Sequence, residues 1–447
     1  MPRRPLKLGI VAGGGEVAPR LTHALELVAL GCGLTLTVAL LARLPSWLHD
    51  IRSFQLLFAM AFAFYALALL RLRRYARLPH VGMAVLAVSL ATRVALLPVV
   101  PSLSGEIFRS IWEGRVVARG GNPYRQPPAD PSLIALRDRD VYPGVDRKLL
   151  GSLAPPFALA GAALVARVSD SVTAFKLWVI LHDILLVAVL VAWLRRRGES
   201  PAYAIAYAWN PLVLVEYAGS GHGDPTAMVW LALAFLLADS RPLASALALA
   251  LGSLTRLAPL AALPFLLRLW PWRARLACLV PLAAGLAWTG AQARGALAAL
   301  AADPGALRNN ELLFHYLDRA AGGFGTACAL GAAAVVVTAA FAWRRSLAAP
   351  RATQLAMRAG LVVAPALQPW YLGWPLLFEH RSRSAPWIAL SLTAALCYGV
   401  LATPGAGREF HLPLVWRWVE YGVPLGLAAW MAARGRSRAR RAAEGPS

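Results

Sequence analysis

Residues 172–194 read VTAFKLWVILHDILLVAVLVAWL, and the arginine cluster 195–197 follows directly. An α-helix needs about 20 apolar residues to cross the hydrocarbon core of a bilayer. Arginine and lysine beside such a run are typical of its cytoplasmic end. The stretch therefore predicts a transmembrane helix that ends at the cytoplasmic surface, although it carries the polar pair His182 and Asp183 in its interior.

The same pattern recurs along most of the 447 residues. The hydrophobic fraction is 58% and only 15% of the residues are charged, whereas a soluble domain has about 25% charged residues. A soluble fold cannot bury so much apolar surface, which excludes soluble enzymes, disordered chains and disulfide scaffolds. We predict an all-α, polytopic membrane protein with about 10 to 13 transmembrane helices, in one integral domain over residues 1–447. The candidate spans are 22–44, 54–71, 81–100, 172–194, 201–218, 225–238, 243–269, 275–292, 321–342, 353–378, 386–403 and 415–433.

Two features qualify this span pattern. Proline inside an apolar run kinks or breaks a helix, so we expect broken helices in several spans. The apolar run 155–168 is short and disturbs the alternation of sides, and we interpret it as re-entrant or interfacial. The prolines concerned are Pro211, Pro259, Pro264, Pro365 and Pro369.

The formal charge of +23 comes from arginines that lie between the apolar runs. This position marks cytoplasmic loops and argues against nucleic acid as a partner. We expect a multi-pass protein of the inner (plasma) membrane, with both termini cytoplasmic, the basic tail 434–447 inside and the segment 101–154 outside. The clusters are Arg3, Arg4, Arg71, Arg73, Arg74, Arg77, Arg195, Arg196, Arg197, Arg344, Arg345, Arg381, Arg383 and the run from Arg434 to Arg441.

The outer segment begins with a group of residues that could carry chemistry. Glu106, Arg109 and Glu113 have the spacing i, i+3, i+7, which places them on one face if the segment is helical. A carboxylate at the mouth of a membrane cavity can accept a proton from a hydroxyl, and Trp112 offers a surface on which a sugar ring could stack. The alternative is a solvated loop whose charges merely keep it out of lipid.

A second group is the sequence EYAGSGHGD from Glu216 to Asp224. Its glycines would let a ligand approach the backbone closely, and His222 and Asp224 could bind that ligand. The alternative is a tight turn whose histidine is solvated. From the residues alone, the two interpretations are equally favoured.

Two arginines lie within apolar runs, where an unpaired charge is costly. Arg256 could hold a phosphate, because a guanidinium matches phosphate geometry bidentately, or it could form an ion pair, for example with Asp183. For Arg93 a structural ion pair is favoured. No nucleotide-binding or zinc-protease motif occurs and the eight histidines lack ligand spacing, so no metal ligand is assigned and a metal requirement stays open.

These residues resemble the polyprenyl-phosphate-mannose-dependent mannosyltransferases, multi-spanning glycosyltransferases of the GT-C fold. The resemblance begins with SGEIFRSIWEGR at 104–115 and covers about residues 85–425. The further matches are Asn-Pro-Tyr at 122–124, Pro-Pro at 127–128, Leu-Arg-Asp at 136–138, Trp-Asn-Pro-Leu at 209–212, Glu216 with Gly-Ser-Gly-His-Gly-Asp at 219–224, Leu-Thr-Arg-Leu-Ala-Pro at 254–259, Arg-Asn-Asn-Glu at 308–311, Gln-Pro-Trp-Tyr at 368–371 and Trp418 to Tyr421.

The resemblance implies transfer of a sugar, mannose, with inversion. The donor would be a polyprenyl-phosphate sugar and the acceptor a glycan or glycolipid at the extracytoplasmic face. Glu106 occupies the place of the family's catalytic acidic residue, usually Asp, and Arg256 that of its basic residue near the donor phosphate. The resemblance and the residue types together predict these substrate-binding residues: Arg109, Trp112, Glu113, Asn122, Tyr124, His222, Asp224, Arg256, Asn310, Trp370 and Tyr371.

Two other functions fit the same features. A transporter or flippase of lipid-linked sugars would also use intramembrane charges and broken helices. An inactive relative could serve as an assembly partner, since the usual Tyr-Pro-Pro is Ala-Pro-Pro at 154–156 and the segment 142–153 departs from the family's pattern.

Overall fold

The computed structural model describes residues 14–382, 384–401 and 412–443. Within these ranges it contains helices and no strand, and the only β-type pairing is one parallel bridge between Asn309 and Ala366. The predicted all-α class is confirmed for this part of the chain. The predicted basic residues Arg3, Arg4 and Arg383 lie outside the described residues, as do 402–403 of the last but one candidate span and 444–447 of the tail.

The helices longer than two turns account for most of the described chain. They are α1 (Gly14–Leu41), α2 (Ile51–Tyr75), α3 (Val81–Leu96), α4 (Glu106–Ala118), α5 (Pro156–Val168), α6 (Val172–Arg196), α7 (Pro225–Leu237), α8 (Pro242–Ser253), α9 (Trp272–Gln292), α10 (Arg294–Ala302), α11 (Leu313–Ala321), α12 (Phe324–Arg344), α13 (Ala349–Val363), α14 (Ala385–Thr393) and α15 (Leu414–Ala443).

Five helices in the described ranges are long and apolar enough to cross a membrane: Arg20–Leu41 of α1, α2, α6, α9 and α12. Shorter apolar helices accompany them, including α3, α5, α7 and α8. These findings support a membrane protein, while the span count of 10 to 13 stays a prediction. Residues 172–194 lie entirely within α6, as their apolar length requires.

Prolines break the predicted spans where the sequence indicated. The candidate span 243–269 consists of α8, a 3₁₀ segment at Ala258–Ala262 and a single turn at Leu263–Leu267, with Pro259 and Pro264 at the breaks. Proline lacks an N–H and clashes with the preceding turn, so the helix cannot continue through these positions.

The candidate span 201–218 is also broken. Asn210 caps a new turn, its Oδ1 accepting from the Leu212 amide at 2.9 Å, and Pro211 occupies the first position of that turn. A π-helical segment, Leu214–Gly219, follows, and the Ser220 amide reaches back five residues to the Val215 carbonyl at 2.8 Å. The glycine-rich sequence after it therefore starts from a widened turn.

The run 155–168 forms α5, which packs against α4. Together with Phe175 of α6, the two helices enclose a small apolar core that includes Ile111, Trp112 and Val165. Segment 101–154 therefore rests on a helix pair, which gives the first residues of α4 a fixed position. The re-entrant or interfacial placement of α5 stays a prediction.

A buried charge network joins α3 and α6 in the interior. Arg93 Nε donates to Asp183 Oδ2 at 2.7 Å, and neither side chain is exposed. The Tyr207 hydroxyl donates to Asp183 Oδ1 at 2.8 Å, and Arg93 Nη1 donates to the Ala208 carbonyl at 3.0 Å. The structural ion pair favoured for Arg93 is confirmed, and Asp183 is therefore not the partner of Arg256.

Replacing Asp183 by Asn should destabilise the fold. It leaves the Arg93 guanidinium buried without a counter-charge, which costs about 3–5 kcal/mol. The midpoint of thermal unfolding in detergent micelles should fall clearly below that of the wild type. The control is Arg197→Gln in the partly exposed pair with Glu199, which should change the free energy of unfolding by less than about 1 kcal/mol. Equal midpoints for Asp183→Asn and the wild type would contradict the structural role.

Candidate active site

Glu106 is the first residue of α4 and forms the centre of a charged cluster. Its Oε1 accepts a short hydrogen bond from Arg256 Nη2, and its Oε2 lies 3.0 Å from His222 Nδ1. The Glu106 and Arg256 side chains keep 24% and 33% of their surface exposed. Three polar groups far apart in the sequence therefore meet at one accessible point.

The glycine-rich turn brings His222 to this point. Gly221 has φ of +76°, and a Cβ there would collide with Ile107 of α4, so the turn requires glycine at this position. The His222 ring is buried and stacks on Trp370, with centroids 3.8 Å apart and an interplanar angle of 17°. The imidazole is therefore fixed in orientation.

A second carboxylate, Glu216, lies on the opposite side of this imidazole. His222 Nε2 is 3.4 Å from Glu216 Oε2, and the Tyr398 hydroxyl donates to Glu216 Oε1. Glu216 belongs to the motif EYAGSGHGD but has no predicted role. The signal that could have found it is its position inside an apolar run, where a carboxylate needs a partner.

Asp224 completes the cluster. Its Oδ1 accepts from Trp374 Nε1 at 2.8 Å, and its Oδ2 has no hydrogen-bond partner among the described residues. The neighbouring Gly223 faces Arg256, since a Cβ on that glycine would lie 3.3 Å from Arg256 Nη2. Asp224 and Arg256 thus belong to the same site as Glu106.

The charged neighbours shift the pKa values of Glu106 and His222 in opposite directions. Burial alone would raise the pKa of the Glu106 carboxyl, but Arg256 and His222 outweigh burial and hold that pKa well below its usual value. Burial would lower the pKa of His222, but the carboxylates of Glu106, Glu216 and Asp224 raise it above 6.5. The site therefore favours an ionised Glu106 beside a protonated His222.

Tyr371 lies at the rim of the cluster. It is 36% exposed, its ring contacts Trp370 edge-on with centroids 5.7 Å apart, and its hydroxyl is in electrostatic range of Glu106 and Arg256. Of the predicted site residues, Glu106, His222, Asp224, Arg256, Trp370 and Tyr371 are thus brought together in the structure.

Residues 22–272, more than half of the chain, match the model of the MptA/B family, described as alpha-(1→6)-mannopyranosyltransferase, N-terminal domain. The chain belongs to this family. The predicted mannosyltransferase identity and the glycosyltransferase class are therefore confirmed. The matched region contains Glu106, Glu216, His222, Asp224 and Arg256, whereas Trp370 and Tyr371 follow it. No curated protein and no solved structure matches the chain significantly.

Other predicted residues of the mannosyltransferase have structural contacts within segment 101–154. Arg109 Nε donates to Glu113 Oε1 at 2.6 Å, and its Nη2 donates to the Leu150 carbonyl at 2.7 Å. The expected common face is thus divided, because Glu106 turns to Arg256 while Arg109 and Glu113 pair with each other. Trp112 is buried against Tyr142, with centroids 5.1 Å apart, and it packs in the core rather than offering a free surface.

Three further predicted residues, Asn122, Tyr124 and Asn310, form hydrogen bonds with partners other than Glu106. Asn122 Nδ2 donates to Gln292 Oε1 at 3.3 Å, and the Tyr124 hydroxyl donates to the Ala154 carbonyl at 2.6 Å. Asn310 Nδ2 donates to both carboxylate oxygens of Glu420 at 2.9 Å. The contacts of these side chains order loops, and their role in binding substrate stays a prediction.

Metal binding has no evident ligand set in the described ranges. They contain no group of three or more His, Cys, Asp or Glu side chains placed to hold a metal ion.

Replacing His222 by Asn should reduce stability in a pH-dependent way. Because the folded-state pKa of His222 is raised above 6.5, its protonated form stabilises the fold fully below that pH, and this contribution is lost as pH rises through the folded-state pKa. The gap in unfolding midpoint between wild type and variant should narrow as the pH rises above about 6.5, leaving a constant remainder from the lost Trp370 stacking. A gap that does not change with pH would contradict a protonated His222 in the cluster.

Proposed function

We propose that this mannosyltransferase uses a polyprenyl-phosphate mannose donor. The proposed acceptor is a glycan or glycolipid at the extracytoplasmic face, and the transfer inverts the anomeric centre. The observation that carries the proposal is the partly exposed Glu106 carboxylate held between Arg256 and His222 at the start of the outer segment. A carboxylate in this position can act as a general base.

The donor phosphate fits Arg256. Its guanidinium is partly exposed at the site, and guanidinium groups bind phosphate oxygens through paired hydrogen bonds. The charge on the phosphate grows as the sugar leaves, so a fixed cation stabilises the transition state more than the ground state. The surrounding apolar helices provide a surface for the prenyl chain.

The proposed reaction forms one bond and breaks one. The acceptor hydroxyl oxygen attacks the anomeric carbon of mannose, and the bond from that carbon to the phosphate oxygen breaks. The electron pair of the broken bond leaves with the polyprenyl phosphate. The hydroxyl proton passes to Glu106, and Trp370 and Tyr371 line the sugar position.

The contacts of Glu106 oppose this chemistry, because a carboxylate whose pKa is held well below its usual value is a weak base. Donor phosphate relieves the part of this effect that comes from Arg256, because it competes with Glu106 for the guanidinium, while His222 stays on Oε2. Once Arg256 turns to the phosphate, Oε1 of Glu106 is released and its basicity rises. Donor binding therefore prepares the base before the acceptor is deprotonated.

The family description supports an alpha-(1→6) linkage in the product. It names alpha-(1→6) transfer of mannopyranose, and we extend the proposal to that linkage for this chain. An enzyme that inverts the anomeric centre forms an α bond only from a β-linked donor. The proposal therefore requires a donor in which mannose is β-linked to the phosphate and a product in which it is α-linked to the acceptor.

The arginine clusters support the proposed orientation, with both termini cytoplasmic in the plasma membrane and 101–154 outside. Transport of a lipid-linked sugar would use the same orientation but form no glycosidic bond. Product analysis in vesicles separates the two functions.

Glu106→Gln should abolish mannosyl transfer. Proteoliposomes with the wild type should convert radiolabelled polyprenyl-phosphate mannose and an oligomannoside acceptor into a longer product. The variant should lose about 10²–10⁴-fold in kcat, the usual contribution of a general base. Glu199→Gln, outside the cluster, should retain wild-type activity. Full transfer by Glu106→Gln would remove Glu106 from the mechanism, and no transfer by the wild type would contradict the proposed function.

The same variant should bind polyprenyl phosphate more tightly. Glu106 competes with phosphate for Arg256, and a partly exposed ion pair is worth about 1 kcal/mol, so its removal should tighten binding about 5-fold. Arg256→Gln should weaken binding at least about 10-fold, because it loses a charge-assisted hydrogen bond. Titration of detergent-solubilised protein with polyprenyl phosphate measures both values. Unchanged or weaker binding to Glu106→Gln would contradict the competition.

A further inference from the structure

Glu216 is a buried carboxylate that the mechanism above does not use. It lies in the π-helical segment Leu214–Gly219, and interruptions of this kind are frequent at functional sites. Its backbone carbonyl accepts from the His222 amide at 3.1 Å. Main chain and side chain of Glu216 thus both face His222.

Burying a charge is costly unless it is paired. Glu216 Oε1 accepts from the Tyr398 hydroxyl, and Oε2 lies 3.4 Å from His222 Nε2. This distance allows charge pairing but is longer than a well-formed hydrogen bond. Catalytic contacts of this length often tighten when substrate binds.

His222 therefore lies between two carboxylates. Its Nδ1 faces Glu106 Oε2 at 3.0 Å, and its Nε2 faces Glu216. A neutral imidazole has one N–H and can donate to only one of them, whereas the protonated ring can donate to both. The Trp370 stacking and the turn at Gly221 keep the ring in line with both carboxylates.

We propose that Glu216 is a positioning residue of the transfer reaction and acts through His222. It keeps the imidazole protonated and directs Nδ1–H to Oε2 of Glu106. Oε1 of Glu106, which accepts a hydrogen bond from Arg256 in the structure, is then the oxygen that takes the proton from the hydroxyl of the acceptor substrate. The inference rests on the proposed function, since it assigns Glu216 to the same site.

The charged groups around His222 together determine the pH at which its imidazole loses its proton. Glu106, Glu216 and Asp224 favour the protonated ring. Arg256 approaches from the other side of Glu106, and the Lys176 stem packs at Gly221. Removing the Glu216 charge should lower the pKa of His222, so the protonated ring is lost at a lower pH.

The test is the pH profile of kcat for Glu216→Gln in the proteoliposome assay. Activity should fall at high pH as His222 loses its proton, and this basic limb should lie about one pH unit lower in the variant than in the wild type. Above the basic limb of the wild type we expect about a 10-fold loss of kcat with the donor KM changed less than about 3-fold, and below both limbs the two activities should converge. Glu216→Asp, which keeps the charge, should restore most of the wild-type profile.

A matched control separates positioning from destabilisation. Glu379 is also buried and is paired with Arg358 and Gln354. Glu379→Gln should lower the unfolding midpoint without moving the basic limb. A Glu216→Gln profile that overlays the wild type, or that is reduced by one factor at every pH, would overturn the inference.

A second readout is independent of turnover. In protein with isotope-labelled histidine, with His222→Asn identifying the signal, NMR titration should give a lower pKa for His222 in Glu216→Gln than in the wild type. An unchanged pKa would overturn the inference even if the wild type transferred no mannose. Absence of product from the wild type, with the shift present, would instead contradict the proposed function alone.

Discussion

Charges taken out of water need partners, and in this mannosyltransferase that requirement acts at two places. In the interior, Arg93 and Asp183 pair with no exposure at all, and Tyr207 satisfies the second oxygen of the carboxylate. At the start of segment 101–154, the Glu106 carboxylate pairs with Arg256 and His222. The hydrogen bonds of the Arg93–Asp183 network lie in the protein interior and join α3 to α6. The second remains partly exposed, so a ligand with the right charge can exchange with its members.

Broken helices bring the second network together. Arg256 lies where α8 has ended and Pro259 prevents a regular helix, and His222 follows the π-helical segment that begins after Pro211. Irregular backbone at membrane depth is tolerated where it is buried in protein or lines a cavity. The same breaks that shorten the apolar helices therefore supply the polar groups of the site. Glu106 reaches them because α4 rests on α5 and holds its first turn in place.

Composition and motifs were enough to predict the helical membrane class, the mannosyltransferase family and most members of the cluster. The partners of the charges were not predictable, because helical spacing tells which residues share a face but not which distant residue meets that face. Arg109 and Glu113 share spacing with Glu106 and pair with each other instead. Trp112 has the residue type of a sugar-stacking surface, and packing against Tyr142 buries it. The apolar run around Glu216 indicates that this carboxylate needs a partner, but not that the widened turn brings it to His222.

In the proposed mechanism, Arg256 binds two anions in turn, first Glu106 and then the donor phosphate. A cryo-electron microscopy structure with polyprenyl phosphate bound would show this exchange. We expect the Arg256 guanidinium on the phosphate oxygens and away from Oε1 of Glu106, with His222 Nδ1 still on Oε2. A phosphate bound elsewhere, or one bound while Arg256 remains on Glu106, would contradict the claim.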